Sequence, residues 1–396
     1  MIQDLLIHTG DPKTGTSSIQ AVLNAGAWRC GTARLVPQQH LNNAPLANAL
    51  RQTAGADFVQ AQFGGLRDWF SASEGGTGVI STEFLARRSP HRLQKVLETY
   101  FPGLPVRTIS YVRPHASRAV SAYGQRLKTG SFDGTLPEFC RFITTVPTLY
   151  YARRFPAWRA VFGSGMILRP FVRSALRDGD AVSDFFYHAL GTGGFELLPL
   201  ETVNEALSVA ELAGLRLVQQ TLRGQELADH HRLAVGGALQ RKLSAAPGRS
   251  GEKPALDQAS ASHLLEAFRE DARALDSQFF GQPVLEEELL RSHRTASPAA
   301  QDFSPEAHFL PRQRTGLENA VTGIAALIRK MPKAWRQEYQ VSVSQRDPED
   351  IENRSPAHSQ NAKAVWELLD EITAILAQPK AARNGKFPLA LPEKNS

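Results

Sequence analysis

Short apolar runs alternate with longer stretches of helical periodicity along most of the chain. Five runs rich in β-branched and other apolar residues predict strands. These runs are residues 5–8, 33–36, 79–81, 106–112 and 166–171. Between them, apolar residues recur at spacings of three and four, which is typical of amphipathic helices. The alternation predicts a three-layer α/β fold with a mostly parallel central sheet flanked by helices.

The pattern changes towards the C-terminus. Helical periodicity is confined there to residues 316–330 and 362–376, and the stretch 338–360 between them is polar and charged. Such composition buries little apolar surface and favours disorder. We therefore expect one domain over residues 1–285. Residues 286–396 are predicted to form a linker and a helical, partly disordered extension.

The first strand leads into the most informative stretch, Gly10-Asp11-Pro12-Lys13-Thr14-Gly15-Thr16-Ser17-Ser18. Its glycines and its proline break the strand, and helical spacing resumes at Ile19. A strand, a tight loop and a helix direct backbone N–H groups and the positive end of the helix dipole to one place, which suits an anion. In the nucleoside triphosphate loop the lysine follows the second glycine, whereas Lys13 precedes Gly15.

Two other strands end in residues that can carry chemistry. Glu83 follows the strand at 79–81, where ligands of parallel sheets bind, although it could instead cap a short helix beside Thr82. Arg113 follows the strand at 106–112, and Ser121 lies two helical turns later on the same side. Such a guanidinium and hydroxyl can hold one phosphate, but both could also be surface residues at a helix start.

The order Pro12-Lys13-Thr14-Gly15-Thr16-Ser17 resembles the 5′-phosphosulfate loop of sulfotransferases that use 3′-phosphoadenosine 5′-phosphosulfate. Arg113 and Ser121 resemble the 3′-phosphate site of the same family. One departure is Pro114, which follows Arg113 directly, whereas the family's proline lies one residue further on. The resemblance is to bacterial sulfotransferases, covers roughly residues 1–285 and is strongest at these two motifs. It implies a fold like that of P-loop nucleoside triphosphate hydrolases.

The resemblance also implies roles for individual residues. The donor's 5′-phosphosulfate is bound by the loop residues Gly10, Pro12, Lys13, Thr14, Gly15, Thr16, Ser17 and Ser18. Lys13 offsets charge on the leaving oxygen, and Glu83 takes the proton from an acceptor hydroxyl or amine. Arg113 and Ser121 hold the 3′-phosphate. Arg249 and Lys253, in a Pro/Gly-rich loop at 245–254, are candidates to close over it.

The acceptor is less well defined by the sequence. The aromatic and basic stretch 149–163 resembles glycan-type sulfotransferases and favours a carbohydrate or glycoconjugate. Tyr150, Tyr151, Arg153 and Arg154 in this stretch could touch an acceptor, but an aromatic helical stripe is more often core. We expect Arg118 and Gln125 to lie on a solvated helix face, although they could instead line the acceptor cleft. Two other functions stay open: a small-molecule kinase with an altered phosphate loop, and a non-catalytic anion- or nucleotide-binding protein of the same fold.

Composition narrows the classes of partner. The 45 Lys and Arg residues against 39 Asp and Glu residues give a net charge of +6, which suits an anionic donor. Without a basic run or a nucleic-acid motif, we expect no nucleic-acid partner, and no apolar run reaches the ~20 residues of a membrane span. Cys30 and Cys140 stand outside any metal-ligand spacing, so we expect no metal. The absence of a leader pattern predicts a cytoplasmic protein, and His8 is expected to be buried core.

Overall fold

The computed structural model describes residues 1–200, 206–246, 251–344 and 356–379. The chain divides into two compact units. Unit 1 comprises Met1–Ser121, Cys140–Thr202 and Leu256–Pro298. Unit 2 comprises Ala122–Phe139, Val203–Ala255 and Ala299–Ser396.

Seven strands are formed in the described part of the chain. They are β1 (Asp4–His8), β2 (Trp28–Cys30), β3 (Leu35–Pro37), β4 (Thr77–Ser81), β5 (Val106–Val112), β6 (Met166–Pro170) and β7 (Phe195–Leu197). Five of them form a parallel sheet in the order β3-β4-β1-β5-β6. These are the five predicted strands, and the α/β architecture with a parallel central sheet is confirmed. β2 and β7, which we did not predict as a pair, form a separate antiparallel ribbon.

Helices connect and flank these strands. The α-helices are α1 (Thr16–Ala25), α2 (Ala44–Asn48), α3 (Ala56–Val59), α4 (Gly65–Ser71), α5 (Pro90–Tyr100), α6 (His115–Lys128), α7 (Leu136–Ile143), α8 (Tyr151–Phe162), α9 (Ala181–Leu190), α10 (Val209–Gly224), α11 (Asp229–Ala245), α12 (Gln258–Leu275), α13 (Val284–Arg294), α14 (Pro305–His308), α15 (Pro311–Lys330), α16 (Pro332–Ser344) and α17 (Pro356–Ala377). Short 3₁₀ or π turns cover Gln60–Gly64, Glu83–Arg87, Pro147–Leu149, Gly163–Gly165, Arg173–Ala175, Arg177–Gly179 and Asp276–Phe280.

The core of unit 1 lies against both faces of the sheet. Leu6 and Val79 pack on one face with Ile19 of α1 and Phe185 of α9. Leu5, Ile7 and Ile80 alternate with these strand residues and are fully buried as well. Successive side chains of a strand point to opposite faces. Helices therefore cover the sheet on both sides, as parallel sheets require.

The connections of the sheet diverge at the carboxyl ends of β1 and β5. These neighbours are paired in register from Leu5 with Val106 to His8 with Ile109. The chain leaves β1 towards β3 on one side and leaves β5 towards β6 on the other. Ligands of open α/β sheets bind where connections diverge in this way, at the carboxyl ends of the strands.

Unit 2 is built from helices with a shared apolar core. Leu215 of α10, Val235 of α11, Val321 of α15 and Leu369 of α17 are all fully buried. The two predicted C-terminal helices are present as α15 and α17, but they are not isolated. Each carries an apolar stripe that needs cover, and they find it with α10 and α11 inside unit 2. Residue 285, the predicted end of the first domain, lies inside α13 of unit 1.

Candidate functional site

The β1–α1 loop (residues 9–15) presents backbone donors at the start of α1. Lys13 and Gly15 have positive φ angles of 72° and 79°, which turn the chain sharply before the helix. Gly15 is the N-cap residue, and a glycine has no side chain that could cap the helix. The first N–H groups of α1 and the positive end of its dipole therefore coincide, and such helix starts attract anions.

A buried polar space surrounds Gly10 in this loop. A Cβ atom on Gly10 would lie 2.4 Å from Thr16 Oγ1 and 2.8 Å from His8 Nε2, so only glycine fits. Thr16 and His8 are buried. Neither of these two atoms has a hydrogen-bond partner among the described residues. Because buried polar atoms are normally satisfied, the Thr16 hydroxyl at the start of α1 is well placed to receive a polar ligand.

His8 is part of the core, as the sequence predicted. Its Nδ1 lies 2.9 Å from Ser81 Oγ on the neighbouring strand. Burial lowers the pKa of His8 to about 3, so the imidazole is neutral at neutral pH. His8 therefore contributes a neutral polar group behind the loop and no charge.

An ion pair holds the loop from helix α8. Arg154 donates from Nη1 to Asp11 Oδ1 at 2.7 Å and from Nη2 to Asp11 Oδ2 at 2.6 Å. Their side chains are only 15% and 7% exposed. Tyr151, the first residue of α8, is fully buried. The core interpretation of the aromatic stripe is therefore confirmed at Tyr151. Arg154 instead holds an ion pair, and Asp11 is a loop anchor that the sequence did not reveal.

The other predicted loop residues differ in what their side chains can reach. Thr14 is buried, and its hydroxyl donates to the Asp11 carbonyl oxygen at 2.6 Å. Ser17 is exposed, whereas Pro12, Lys13 and Ser18 are half-buried. The predicted loop residues therefore lie together in one turn. The Thr14 hydroxyl already donates its hydrogen bond within the loop itself.

Glu83 is brought beside this loop by the register of the sheet. His8 and Ser81 are paired in register, and the Thr82 N–H donates to the His8 carbonyl oxygen at 3.1 Å. Glu83 follows as the first residue of the 3₁₀ helix, whose N-cap is Thr82. Burial raises the pKa of Glu83, and the charge of Lys13 opposes that rise.

Lys13 is affected by the same neighbours. Burial lowers the pKa of its ammonium group, the Glu83 carboxylate raises it, and the charges of Arg118 and Arg113 lower it further. The negative charge of Asp11 is balanced by its ion pair with Arg154. We call Lys13, Glu83, Arg113 and Arg118 the strand-end cluster. It holds three cations and one carboxylate, and this excess of positive charge suits an anionic ligand.

Arg113 is tied to the loop at the end of β5. Its Nη1 donates to the Lys13 carbonyl oxygen at 2.9 Å, and its Nε donates to Ser117 Oγ at 3.2 Å. Its guanidinium lies over the Phe171 ring, 5.6 Å from the centroid. Ser121, the predicted partner of Arg113, is half-buried in the same helix. The hydroxyl that Arg113 contacts directly is that of Ser117.

Arg118 does not lie on a solvated face, so that prediction is wrong. Only 8% of the residue is exposed. It lies one turn after the buried His115 and therefore on the same buried side of α6. Its Nε has no hydrogen-bond partner in the described part of the chain. The helical pattern alone could not reveal this, because a lone arginine in an amphipathic helix normally marks the polar face.

Two further candidates come from the late loop. Arg249 lies outside the described residues. Lys253 belongs to unit 2, where its ammonium group donates to the Ala206 carbonyl oxygen at 2.8 Å.

Two further properties bear on ligands and location. Over the described ranges, no group of three or more His, Cys, Asp or Glu side chains is placed to hold a metal ion. None of the helices in those ranges is both long enough and apolar enough to cross a bilayer.

Comparisons of this chain with protein-family models, with curated proteins and with solved structures find no match.

Proposed function

We propose that this protein transfers a sulfuryl group from 3′-phosphoadenosine 5′-phosphosulfate to a hydroxyl or amine of an acceptor. The observation that carries the proposal is the strand-end cluster. Lys13, Glu83 and Arg113 come from loops after three different strands, and they meet at the carboxyl ends of the strands, where ligands of such sheets bind. The motif resemblance in the sequence supports a fold like that of P-loop nucleoside triphosphate hydrolases.

The loop supplies groups that fit the phosphosulfate end of the donor. The uncapped start of α1, the unpartnered Thr16 hydroxyl and the Lys13 ammonium can all donate to an oxyanion. Gly10 and Gly15 keep this turn narrow. Lys13 offsets the charge that builds on the phosphate oxygen as its bond to sulfur breaks, and fixed charges of this kind lower the barrier without reorganisation.

Glu83 serves as the general base. Its raised pKa makes it a stronger base than an exposed glutamate, while Lys13 keeps it ionised over a useful range. Arg113 and Ser121 are assigned to the 3′-phosphate, the group that distinguishes this donor from ATP. We propose a carbohydrate or glycoconjugate acceptor, on the resemblance of the aromatic and basic stretch around α8.

One experiment separates this function from the two alternatives. The protein is incubated with donor labelled in its sulfuryl group and a panel of glycans, with and without EDTA, beside a parallel series with labelled ATP. We expect label transfer from the sulfuryl donor, and EDTA should not abolish it. Metal-dependent transfer from ATP would identify a kinase instead. Donor binding without transfer to any acceptor would identify a non-catalytic binding protein.

A further inference from the structure

One guanidinium of the strand-end cluster has a buried nitrogen that lacks an acceptor. Only 8% of Arg118 is exposed. Its Nε donates to nothing in the ranges that the structure describes. A buried N–H group without an acceptor is costly. A side chain kept in this state points to a ligand that supplies the missing acceptors.

Arg113, in contrast, is already committed to the protein. Two of its nitrogens donate to the Lys13 carbonyl oxygen and to Ser117 Oγ. Its own carbonyl oxygen accepts the Tyr151 hydroxyl at 3.0 Å. These contacts fix the turn at Lys13, whose backbone has the unfavourable positive φ angle. Arg113 therefore braces the loop through Nε and Nη1, and the contact with the 3′-phosphate proposed above is assigned to its Nη2.

We propose that Arg118 binds the transferred sulfuryl group, and that Arg113 is a positioning residue that holds Lys13. The inference rests on the proposed function. Arg118 lies in the first turn of α6, directly after the end of β5, where its backbone N–H donates to the Pro114 carbonyl oxygen at 2.8 Å. Its charge also acts on Lys13, Glu83 and Arg113, in agreement with this position. Lys13 and Glu83 flank the two bonds to sulfur that change, and Arg118 is the cation with donors left for the remaining sulfuryl oxygens.

The transfer step then balances as follows. The acceptor oxygen forms a bond to sulfur while the bond from sulfur to the phosphate oxygen breaks. The acceptor proton goes to Glu83, and the leaving phosphate keeps the electron pair beside Lys13. Arg118 donates to the non-bridging sulfuryl oxygens throughout, since a planar guanidinium can bind two such oxygens at once.

Calorimetric titration without acceptor tests this assignment. The donor 3′-phosphoadenosine 5′-phosphosulfate is compared with adenosine 3′,5′-bisphosphate, which lacks only the sulfuryl group. Arg118→Gln is expected to weaken donor binding about tenfold or more and to leave bisphosphate binding nearly unchanged. Arg118→Lys should restore only part of the loss, because an ammonium group lacks the fork. Arg113→Gln should weaken both ligands, since it loosens the loop.

Thermal unfolding of the unliganded protein separates binding from a structural role. Arg118→Gln removes a buried N–H group that lacks an acceptor and breaks no side-chain hydrogen bond among the described residues, so its melting temperature should not fall. Arg113→Gln breaks hydrogen bonds, so its melting temperature should fall. Arg51→Gln makes the same charge change at an exposed position and should match the wild type in both measurements. Unchanged donor affinity in Arg118→Gln, or an equal loss for both ligands, would overturn the assignment.

The same titrations distinguish a failure of the Arg118 assignment from a failure of the proposed function. If the wild type binds donor and Arg118→Gln binds it equally well, the assignment falls and the function stands. If the wild type binds neither nucleotide, the function falls. Titration with inorganic sulfate then tests Arg118 alone, with Arg118-dependent binding supporting its role as an anion ligand and Arg118-independent binding or none refuting it.

Discussion

At the scale of single residues, Lys13 and Glu83 act on each other. Each is pushed by burial towards its neutral form, and each is pulled back by the charge of the other. Arg118 shifts the balance of the pair, because its charge favours the ionised Glu83 and the neutral Lys13. The protonation of the site is therefore a property of the cluster, and replacing one member changes the others.

Lys13→Ala and Glu83→Gln should each reduce sulfuryl transfer by at least ~100-fold, the loss expected for a missing charge stabiliser or general base. Initial rates with labelled donor measure the effect. Lys95→Ala and Glu98→Gln change the same residue types at exposed positions of α5 and serve as controls.

The pH profile gives an independent check on Glu83. A general base must be deprotonated to act, and burial raises the pKa of Glu83 above 4.5, the ordinary value of a glutamate. When the pH is lowered, the midpoint of the fall in rate should therefore lie above pH 4.5. Near-normal turnover of Glu83→Gln, or an acid limb that persists in it, would show that another group is the base.

His8 should make stability depend on pH. Its pKa is about 3 in the folded protein and 6.5 when unperturbed, so the unfolded chain takes up the proton first. The free energy of unfolding should fall as pH drops from 6.5 towards 3, by up to about 1.4 kcal/mol per pH unit. Urea unfolding of His8→Gln should show a shallower dependence over this window. The exposed His40→Gln should keep the wild-type slope, and an equal slope in both variants would refute the effect.

At the scale of elements, parallel register is what assembles the site. β1, β4 and β5 end side by side, so the loops that follow them share one edge of the sheet. Helix α8 then fixes the first of these loops through Asp11 and Arg154, two residues 143 positions apart. The loop is thus held from two sides, by Arg154 of α8 at Asp11 and by Arg113 at the Lys13 carbonyl oxygen.

Breaking the ion pair between Asp11 and Arg154 should be costly. Asp11→Asn leaves a buried guanidinium without its charge partner, which typically costs about 3–5 kcal/mol of stability. Chemical denaturation measures the loss. Combining it with Arg154→Met should recover part of the stability, because the unpaired charge is gone.

The exposed pair of Arg67 and Asp68 provides the comparison for this change. Asp68→Asn should cost less than about 1 kcal/mol, since exposed pairs contribute little. A loss of similar size at Asp11 would mean that the Arg154 contact does not anchor the loop.

The sequence predicts the elements better than their contacts. All five sheet strands are visible in the sequence as short apolar runs. Because ligands of parallel sheets bind at the carboxyl ends of the strands, the sequence alone also predicts that Glu83 lies near the loop. The Asp11–Arg154 pair is hidden, because nothing local in either residue's neighbourhood indicates a partner so distant. The burial of Arg118 is hidden for a related reason. The sequence around a charged residue in a helix does not show whether another element packs over its side chain.

At the scale of the whole molecule, the C-terminal helices change most from expectation. Their apolar stripes join the core of unit 2 with residues from three separate parts of the chain. A polar segment between two helices therefore does not indicate whether those helices pack into a shared core. What decides the matter is how many apolar side chains each helix must bury.

Removing these helices should unfold the rest of unit 2. A chain that ends at residue 298 lacks α15 and α17, so the buried faces of α10 and α11 lose their cover. We expect binding of a hydrophobic dye and aggregation in size-exclusion chromatography. A chain that ends at residue 379 keeps every described helix and should behave like the full chain. A dye-silent, monomeric protein ending at residue 298 would contradict the shared core.

The positive φ angle of Lys13 sets a limit on how far this protein can be stabilised. A left-handed backbone costs a residue other than glycine about 1–2 kcal/mol, and burial adds to the cost of keeping the ammonium charged. Selection for heat resistance alone would favour glycine at this position and would discard the one cation that the loop itself provides. The lysine marks a place where thermal robustness and activity are in direct competition.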